Sequence, residues 1–204
     1  MDGTLIHSDA AWKRATETAF GRFGLRLTEA HYEETLGLDN AAGVAAVLRH
    51  FPSFRGNAAE LTAALETAIQ NEFRRGVTPM PGAERLLAEW HRRWPLALVS
   101  TSSPALIAAT LEGLNWDRYF VFRLSSEEVG PGKPDPAVYR EAVRRLGVAA
   151  GAALAVEDSV AGVQSAAGAG LQVIGLASDS GLAARLRPHA AAVIAGWADL
   201  LNRA

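Results

Sequence analysis

The chain has 204 residues, of which 49% are hydrophobic and 21% are charged, and its formal net charge is −2. This length and composition indicate a folded globular protein with a sizeable core. The net charge argues against nucleic-acid binding, which requires an excess of basic residues. The lack of cysteine excludes disulfides and thiolate metal sites. No apolar run approaches the ~18 residues of a membrane span, and no signal peptide is evident. We therefore expect a cytoplasmic protein that binds neither nucleic acid nor membrane.

The first third of the chain is predicted to be helical. Pro52 and Gly56 interrupt this region, and nothing in it has the character of a buried strand. The predicted helices are Ala10–Phe23, Glu29–Leu36, Ala41–His50 and Ala58–Arg75.

After Gly82, short apolar segments alternate with amphipathic helices. The predicted strands are Pro95–Ser100, Tyr119–Leu124 (the weakest), Ala153–Glu157, Leu171–Leu176 and Ala191–Ile194. The predicted helices are Pro104–Leu114, Pro136–Leu146, Val160–Ala169, Gly181–Leu186 and Trp197–Asn202. This alternation predicts an α/β fold with a parallel sheet and helices on both faces. In such a sheet, ligands bind beyond the carboxyl ends of the strands.

Polar residues suited to catalysis or ligand binding lie at these strand ends. Ser100 closes the strand that begins at Pro95, and Glu157 and Asp158 end the strand that begins at Ala153. Lys133 lies in a loop of glycines and prolines, and it is one of only two lysines, with Lys13, among 20 basic residues. Since lysine carries a compact point charge and arginine a planar fork, a lysine here suggests a chemical requirement.

Met1-Asp2-Gly3-Thr4, Ser100, Gly132-Lys133-Pro134 and Glu157-Asp158-Ser159, in this order, resemble the four motifs of the haloacid dehalogenase-like hydrolases. The resemblance implies a Rossmann-like, doubly wound parallel sheet with a helical cap inserted after the first motif. On this basis the core comprises residues 1–9 and 79–204, and the cap comprises residues 10–78.

The first motif in this family contains two aspartates, and Asp2 matches the second. The resemblance thus makes Asp2 the general acid/base and implies a nucleophilic aspartate immediately before Met1. Because the first strand of this fold is central, we expect the natural protein to extend upstream by a strand's length, ~5–10 residues. If Met1 is the true start, the protein binds its ligand without turnover.

The resemblance also assigns the remaining positions of the site. Ser100 and Thr101, together with Gly3 and Thr4 of the first motif, would bind the phosphate group. Lys133 would offset the charge of nucleophile and phosphate. Mg²⁺, a hard cation that prefers oxygen ligands, would be held by Asp158, by Glu157 and by the backbone carbonyl of Asp2.

The implied activity is Mg²⁺-dependent hydrolysis of a small phosphorylated metabolite, a sugar or polyol phosphate, by a monomer or small homo-oligomer. Residues 35–40 resemble the specificity loop of sugar-phosphate phosphatases and β-phosphoglucomutases. Such mutases have a histidine where this chain has Trp12 and a cap arginine where it has Asn40, so hydrolysis is favoured over isomerisation. A non-catalytic protein that binds phosphate or sugar phosphates is the third hypothesis.

Each position also has a simpler interpretation when taken alone. Residues 2–4 suit a frayed terminus, Ser100 begins a serine-rich run suited to capping the helix that starts at Pro104, and Lys133 suits an exposed loop. Glu157 and Asp158 suit the start of a helix, where acids interact favourably with the dipole. The occurrence of all four in the family order favours the catalytic interpretation.

Overall fold

The computed structural model describes residues 1–35 and 40–201. The chain forms two compact units, a core unit of Met1–His7 and Thr78–Ala204 and a helical unit of Ser8–Val77. Residues 36–39, in the predicted specificity loop, and Asn202, at the end of the last predicted helix, lie outside the described residues. The assignment of residues 10–78 as a cap over the site stays a prediction.

The helical unit contains helices with apolar faces packed on one another. Trp12 meets Phe73 edge to face, with ring centroids 6.0 Å apart, and Asn57 caps the last helix by accepting a hydrogen bond from the Ala59 amide. This helix has 17 residues, and no helix in the two described ranges is both long and apolar enough to cross a membrane. The helices are α1 (Asp9–Arg22), α2 (Glu29–Glu33), α3 (Asn40–Leu48) and α4 (Ala58–Arg74).

The core unit has the predicted alternation of strands and helices. Its strands are β1 (Ile6–His7), β2 (Thr78–Pro79), β3 (Ala97–Ser100), β4 (Phe122–Ser125), β5 (Leu154–Glu157), β6 (Gln172–Leu176) and β7 (Ala192–Ile194). Its helices are α5 (Ala83–Trp90), α6 (Pro104–Gly113), α7 (Ala137–Leu146), α8 (Val160–Gly168), α9 (Ser180–Leu186) and α10 (Ala198–Leu201). Short 3₁₀ turns occur at Asp117–Tyr119, Ser126–Glu128 and Ala150–Ala152.

The longer strands pair in parallel, as the alternation predicted. Strand β3 pairs with β4, with Ser100 opposite Ser125, and β5, β6 and β7 form a three-stranded parallel sheet in that order. Side chains of these strands and of α7, α8 and α9 build a buried apolar cluster. Its fully buried members include Leu124, Val138, Val163 and Leu186. Parallel pairing brings the carboxyl ends of neighbouring strands to the same edge of each sheet, where the polar motifs lie.

Three local features differ from the prediction. The weakest strand begins at Phe122 rather than Tyr119, because Asp117–Tyr119 forms a 3₁₀ turn. Helix α5 was not predicted, although Ala83, Leu86 and Leu87 are buried at helical spacing. The antiparallel pair of β1 and β2 was also missed, since two-residue strands carry too little periodicity to detect.

Candidate functional site

The first motif forms a tight turn at the start of the core unit. The amides of Leu5 and Ile6 donate to the Met1 carbonyl, and the Gly3 amide donates to the Ile6 carbonyl at 3.0 Å. Gly3 has a φ of 63°, which glycine adopts at little cost. A Cβ at this position would lie 2.1 Å from Asp158 Oδ2. Only glycine therefore allows the first motif to approach the fourth so closely.

A direct hydrogen bond also joins these two motifs. Thr4 Oγ1 donates to Asp158 Oδ1 at 2.7 Å, across 154 residues of sequence. Thr4 is buried, and its own carbonyl accepts a hydrogen bond from Trp197 Nε1 at 2.7 Å. Thr4, which was predicted to bind phosphate, thus orients Asp158.

Burial changes the acidity of Asp158. Desolvation raises the pKa of this carboxyl, and the nearby Glu157 charge raises it further. The α-amino group of Met1 and the hydrogen bond from Thr4 act in the opposite direction. Because the pKa is raised, burial outweighs these two opposing effects.

A hydrogen bond from the segment after β3 holds the side chain of Asp2. Ser102 Oγ donates to Asp2 Oδ2 at 2.9 Å. Ser102 is itself fixed on both sides of its backbone: its amide donates to Ser100 Oγ at 3.1 Å, and its carbonyl accepts from Ser125 Oγ at 2.8 Å. These two hydrogen bonds hold the Ser102 backbone in place, so that its hydroxyl is directed at Asp2. The contact of Ser102 with Asp2 was not predicted from the sequence.

The predicted phosphate-binding residues at the end of β3 differ in exposure. Ser100 is buried, and its hydroxyl oxygen accepts a hydrogen bond from the Ser102 amide. Thr101 is exposed. Ser103 caps helix α6 by accepting a hydrogen bond from the Leu106 amide at 3.4 Å, which agrees with the predicted capping role of this serine run.

Lys133 and Glu157 form a buried ion pair. Their side chains are 8% and 6% exposed, and Lys133 Nζ donates to Glu157 Oε1. Tyr139 Oη, from the first turn of α7, donates to the same carboxylate oxygen. Burial, followed by the charge of Glu157, raises the pKa of Tyr139 well above its usual value. No role for Tyr139 was predicted from the sequence.

The oxygen donors near Asp158 suit a hard cation such as Mg²⁺. Asp158 provides a carboxylate whose charge is poorly solvated, as its raised pKa indicates, and a cation would compensate that lost solvation. Glu157, the other predicted acidic ligand, already accepts from Lys133 and Tyr139. Within residues 1–35 and 40–201, histidine and acidic side chains form no group of three or more suited to a metal ion. Protein ligands for Mg²⁺ would thus centre on Asp158.

The predicted site residues therefore form three contact groups in the core unit. The first group joins Gly3 and Thr4 to Asp158, and the second joins Asp2 to Ser102. The third joins Lys133 to Glu157. The first and third groups are adjacent because Glu157 and Asp158 are consecutive, and the first and second are adjacent through residues 2–4.

Comparison with known proteins identifies the family of this chain. A family model of haloacid dehalogenase-like hydrolases matches residues 1–170. The chain is 34% identical to hexitol phosphatase A of Escherichia coli, over 85% of this chain and 79% of that protein. It is 26% identical to a phosphorylated carbohydrates phosphatase of Thermotoga maritima, over 85% and 81%.

Solved structures support the same assignment. The structure of CbbY from Rhodobacter sphaeroides in complex with phosphate has a TM-score of 0.83 and 26% sequence identity, and the match covers 98% of this chain and 93% of that one. The predicted α/β fold is thereby confirmed. The chain belongs to the haloacid dehalogenase-like hydrolase family, as the order of its four motifs predicted.

Proposed function

We propose that this protein is a Mg²⁺-dependent phosphatase that hydrolyses a small phosphomonoester through an aspartyl-phosphate intermediate. The observation that carries the proposal is the meeting of the first and fourth motifs, in which Gly3 and Thr4 contact Asp158. This contact supports a site in which Asp2 would act as general acid/base and Asp158 would be a metal ligand, in a chain of a hydrolase family. Asp158 and the Asp2 carbonyl would hold Mg²⁺, which would supply positive charge to the phosphoryl oxygens, while Glu157 stays paired with Lys133.

The residues of this chain would provide binding and proton transfer. Lys133 would attract the phosphoryl group, and the Ser100 hydroxyl and the backbone amides near Thr101 would orient it. When the nucleophilic carboxylate attacks phosphorus and the ester P–O bond breaks, the carboxyl of Asp2 would give its proton to the leaving alcohol oxygen. Asp2 would then take a proton from the water that attacks phosphorus. The acyl–phosphate bond breaks in that step, which releases phosphate, restores the nucleophilic carboxylate and leaves Asp2 protonated for the next cycle.

The nucleophile in this proposal is an aspartate joined directly to Met1. Two observations support this position. The family pattern places the nucleophile two residues before the general acid/base, which is Asp2 here. The first motif, which that residue would precede, contacts Asp158 through Gly3 and Thr4.

The proposed substrate is a sugar or polyol phosphate. The support comes from relatives named as a hexitol phosphatase and a phosphorylated carbohydrates phosphatase. The selection of the leaving group by residues 10–78 is part of the same proposal.

The test compares two forms of the protein that carry a short apolar strand before Met1. One form has Asp joined to Met1, and the matched control has Asn there. Both are incubated with Mg²⁺ and a panel of hexose, pentose and polyol phosphates, and free phosphate is measured. We expect phosphate release by the Asp form and at least a hundredfold less by the Asn form.

Other outcomes would select the other hypotheses. Interconversion of hexose 1- and 6-phosphates without release of phosphate would identify an isomerase. Phosphate binding without turnover by either form, for every ester of the panel, would identify a binding protein. Equal activity of the Asp and Asn forms would rule out the proposed nucleophile.

A further inference from the structure

Three side chains of the core unit form a buried polar cluster beside the proposed phosphate site. Lys133 comes from the loop before α7, Tyr139 from α7 and Glu157 from the end of β5. The side chains of Lys133 and Glu157 are 8% and 6% exposed, and Tyr139 is equally buried. Water therefore solvates none of the three polar groups well, and the groups must satisfy one another.

The hydrogen bonds of this cluster converge on one atom. Lys133 Nζ and Tyr139 Oη both donate to Oε1 of Glu157. The other carboxylate oxygen is confined by the helix that follows, since a Cβ at Gly162 would lie 2.0 Å from Glu157 Oε2. The carboxylate thus has a fixed orientation, with Oε1 directed at the lysine and the tyrosine.

The aromatic ring adds a second contact to the lysine. Lys133 Nζ lies 5.1 Å from the centroid of the Tyr139 ring, within the range of cation–π attraction. Tyr139 therefore acts on the ammonium in two ways, through its ring and through the carboxylate that its hydroxyl shares. A phenylalanine would keep the first contact and lose the second.

The shared acceptor affects how strongly Lys133 is drawn to Glu157. A carboxylate oxygen that accepts from two donors holds each of them less strongly than one that serves a single ammonium. The lysine ammonium has three N–H donors, and a weaker hold by Glu157 leaves the others available to a phosphate oxygen. Without the hydroxyl, the ammonium would turn further toward the carboxylate, and the buried oxygen would lose a partner.

We propose that Tyr139 is a positioning residue whose hydroxyl, by sharing Oε1 of Glu157, keeps the Lys133 ammonium available to the phosphoryl group. This inference rests on the proposed function for the identity of the ligand. The position of the ammonium itself depends only on the three side chains. The two parts can therefore be tested separately.

The first measurement is the affinity for inorganic phosphate, by calorimetry in saturating Mg²⁺, of the wild-type chain and of Tyr139→Phe. We expect about tenfold weaker binding by the variant, the effect of one hydrogen bond to a charged group. The matched control is Tyr119→Phe. Tyr119 is also buried, and its hydroxyl accepts from Arg118 Nη2 at 2.9 Å, with the guanidinium over its ring. A purely structural effect would lower the melting temperature of both variants. The positioning role alone predicts that phosphate affinity falls in Tyr139→Phe and not in Tyr119→Phe.

The second measurement uses the scarcity of lysine in this chain. Lys13 and Lys133 are the only lysines, so ¹⁵N-lysine NMR follows two ammonium groups. Tyr139→Phe should shift the Lys133 signal, while Lys13, paired with Glu29 at the surface of the helical unit, serves as an internal control. Near-UV circular dichroism verifies that the variant is folded.

The outcomes separate the inference from the proposed function. An unchanged Lys133 signal and an unchanged phosphate affinity in Tyr139→Phe would overturn the inference. Equal losses of phosphate affinity in Tyr139→Phe and Tyr119→Phe would overturn it as well, because the effect would then be general. A wild-type chain that fails to bind phosphate would contradict the proposed function, while the Lys133 signal would still report whether Tyr139 positions the ammonium.

Discussion

Trp197 and Thr4, which are 193 residues apart in sequence, are joined by a buried hydrogen bond of 2.7 Å from the indole Nε1 to the Thr4 carbonyl. Thr4 in turn donates to Asp158. The residue that precedes α10 thus stabilises the turn that orients the carboxylate of the fourth motif. Trp197 is 4% exposed, so this bond has no competition from water.

Replacement of Trp197 by Phe should destabilise the protein by about 1–3 kcal/mol, because the buried Thr4 carbonyl would lose its donor. Urea denaturation of the whole chain measures the change in the free energy of unfolding. Trp94→Phe is the control, since Trp94 is 52% exposed and should change stability by less than about 0.5 kcal/mol. Equal effects of the two substitutions would contradict the role of the Trp197 hydrogen bond.

Replacement of Gly3 by Ala should remove Mg²⁺-dependent activity from the form that carries the upstream aspartate. The new Cβ would lie 2.1 Å from Asp158 Oδ2 and would displace that carboxylate. Gly24→Ala provides a matched control, because Gly24 also has a positive φ, 72°, but no atom within 4 Å of a new Cβ. Both variants should lose about 1 kcal/mol of stability from backbone strain. Retention of full activity by Gly3→Ala would show that Asp158 is not required in its observed position.

Replacement of Ser102 by Ala should impair proton donation by Asp2, because the Asp2 carboxyl would lose the hydroxyl that orients it. We expect kcat to fall about tenfold to a hundredfold for alkyl phosphates in the active form. The loss should be smaller for p-nitrophenyl phosphate, whose leaving group needs little protonation. Ser103→Ala is the control, since Ser103 caps helix α6 and its loss should reduce stability by about 1 kcal/mol without this dependence on leaving group. A uniform fall in kcat across both esters would argue against a role through Asp2.

Glu72 should stabilise the helical unit in a pH-dependent manner. This buried carboxylate accepts from Arg14 Nε at 2.6 Å and also from Arg75, and the hydrogen bond to Arg14 lowers its pKa below the usual 4.5. Because the folded pKa is depressed, its contribution is fully present above about pH 5 and is lost as the pH falls through the folded pKa.

Glu72→Gln should therefore lower the free energy of unfolding at pH 7 by about 1 kcal/mol, a small value because both arginines are largely exposed. The difference from wild type should shrink as the pH falls below 4.5. Urea denaturation at pH 7, 5 and 4 measures this trend, with Glu66→Gln on the exposed side of the same helix as control. A difference that stays constant over this range would contradict the assignment.

Much of the architecture could be predicted because the signals are local. Alternating apolar segments identified the parallel strands of the core unit, and the polar residues after them indicated where the motifs lie. The prediction failed where the local signal was weak or ambiguous. Strands β1 and β2 are two residues long. Tyr119, the first residue of the apolar segment predicted as a strand, instead ends a 3₁₀ turn.

The sequence by itself determined the family, because the order and spacing of the four motifs are properties of the chain. Only the tertiary structure decided which side chains share hydrogen bonds. Nothing along the chain indicates that the Tyr139 hydroxyl donates to Glu157, 18 residues away. The same holds for the Trp197 indole, which donates to the Thr4 carbonyl, 193 residues away. Such contacts depend on how distant elements pack and on the direction of each side chain. Neither can be predicted from the neighbouring residues in the sequence.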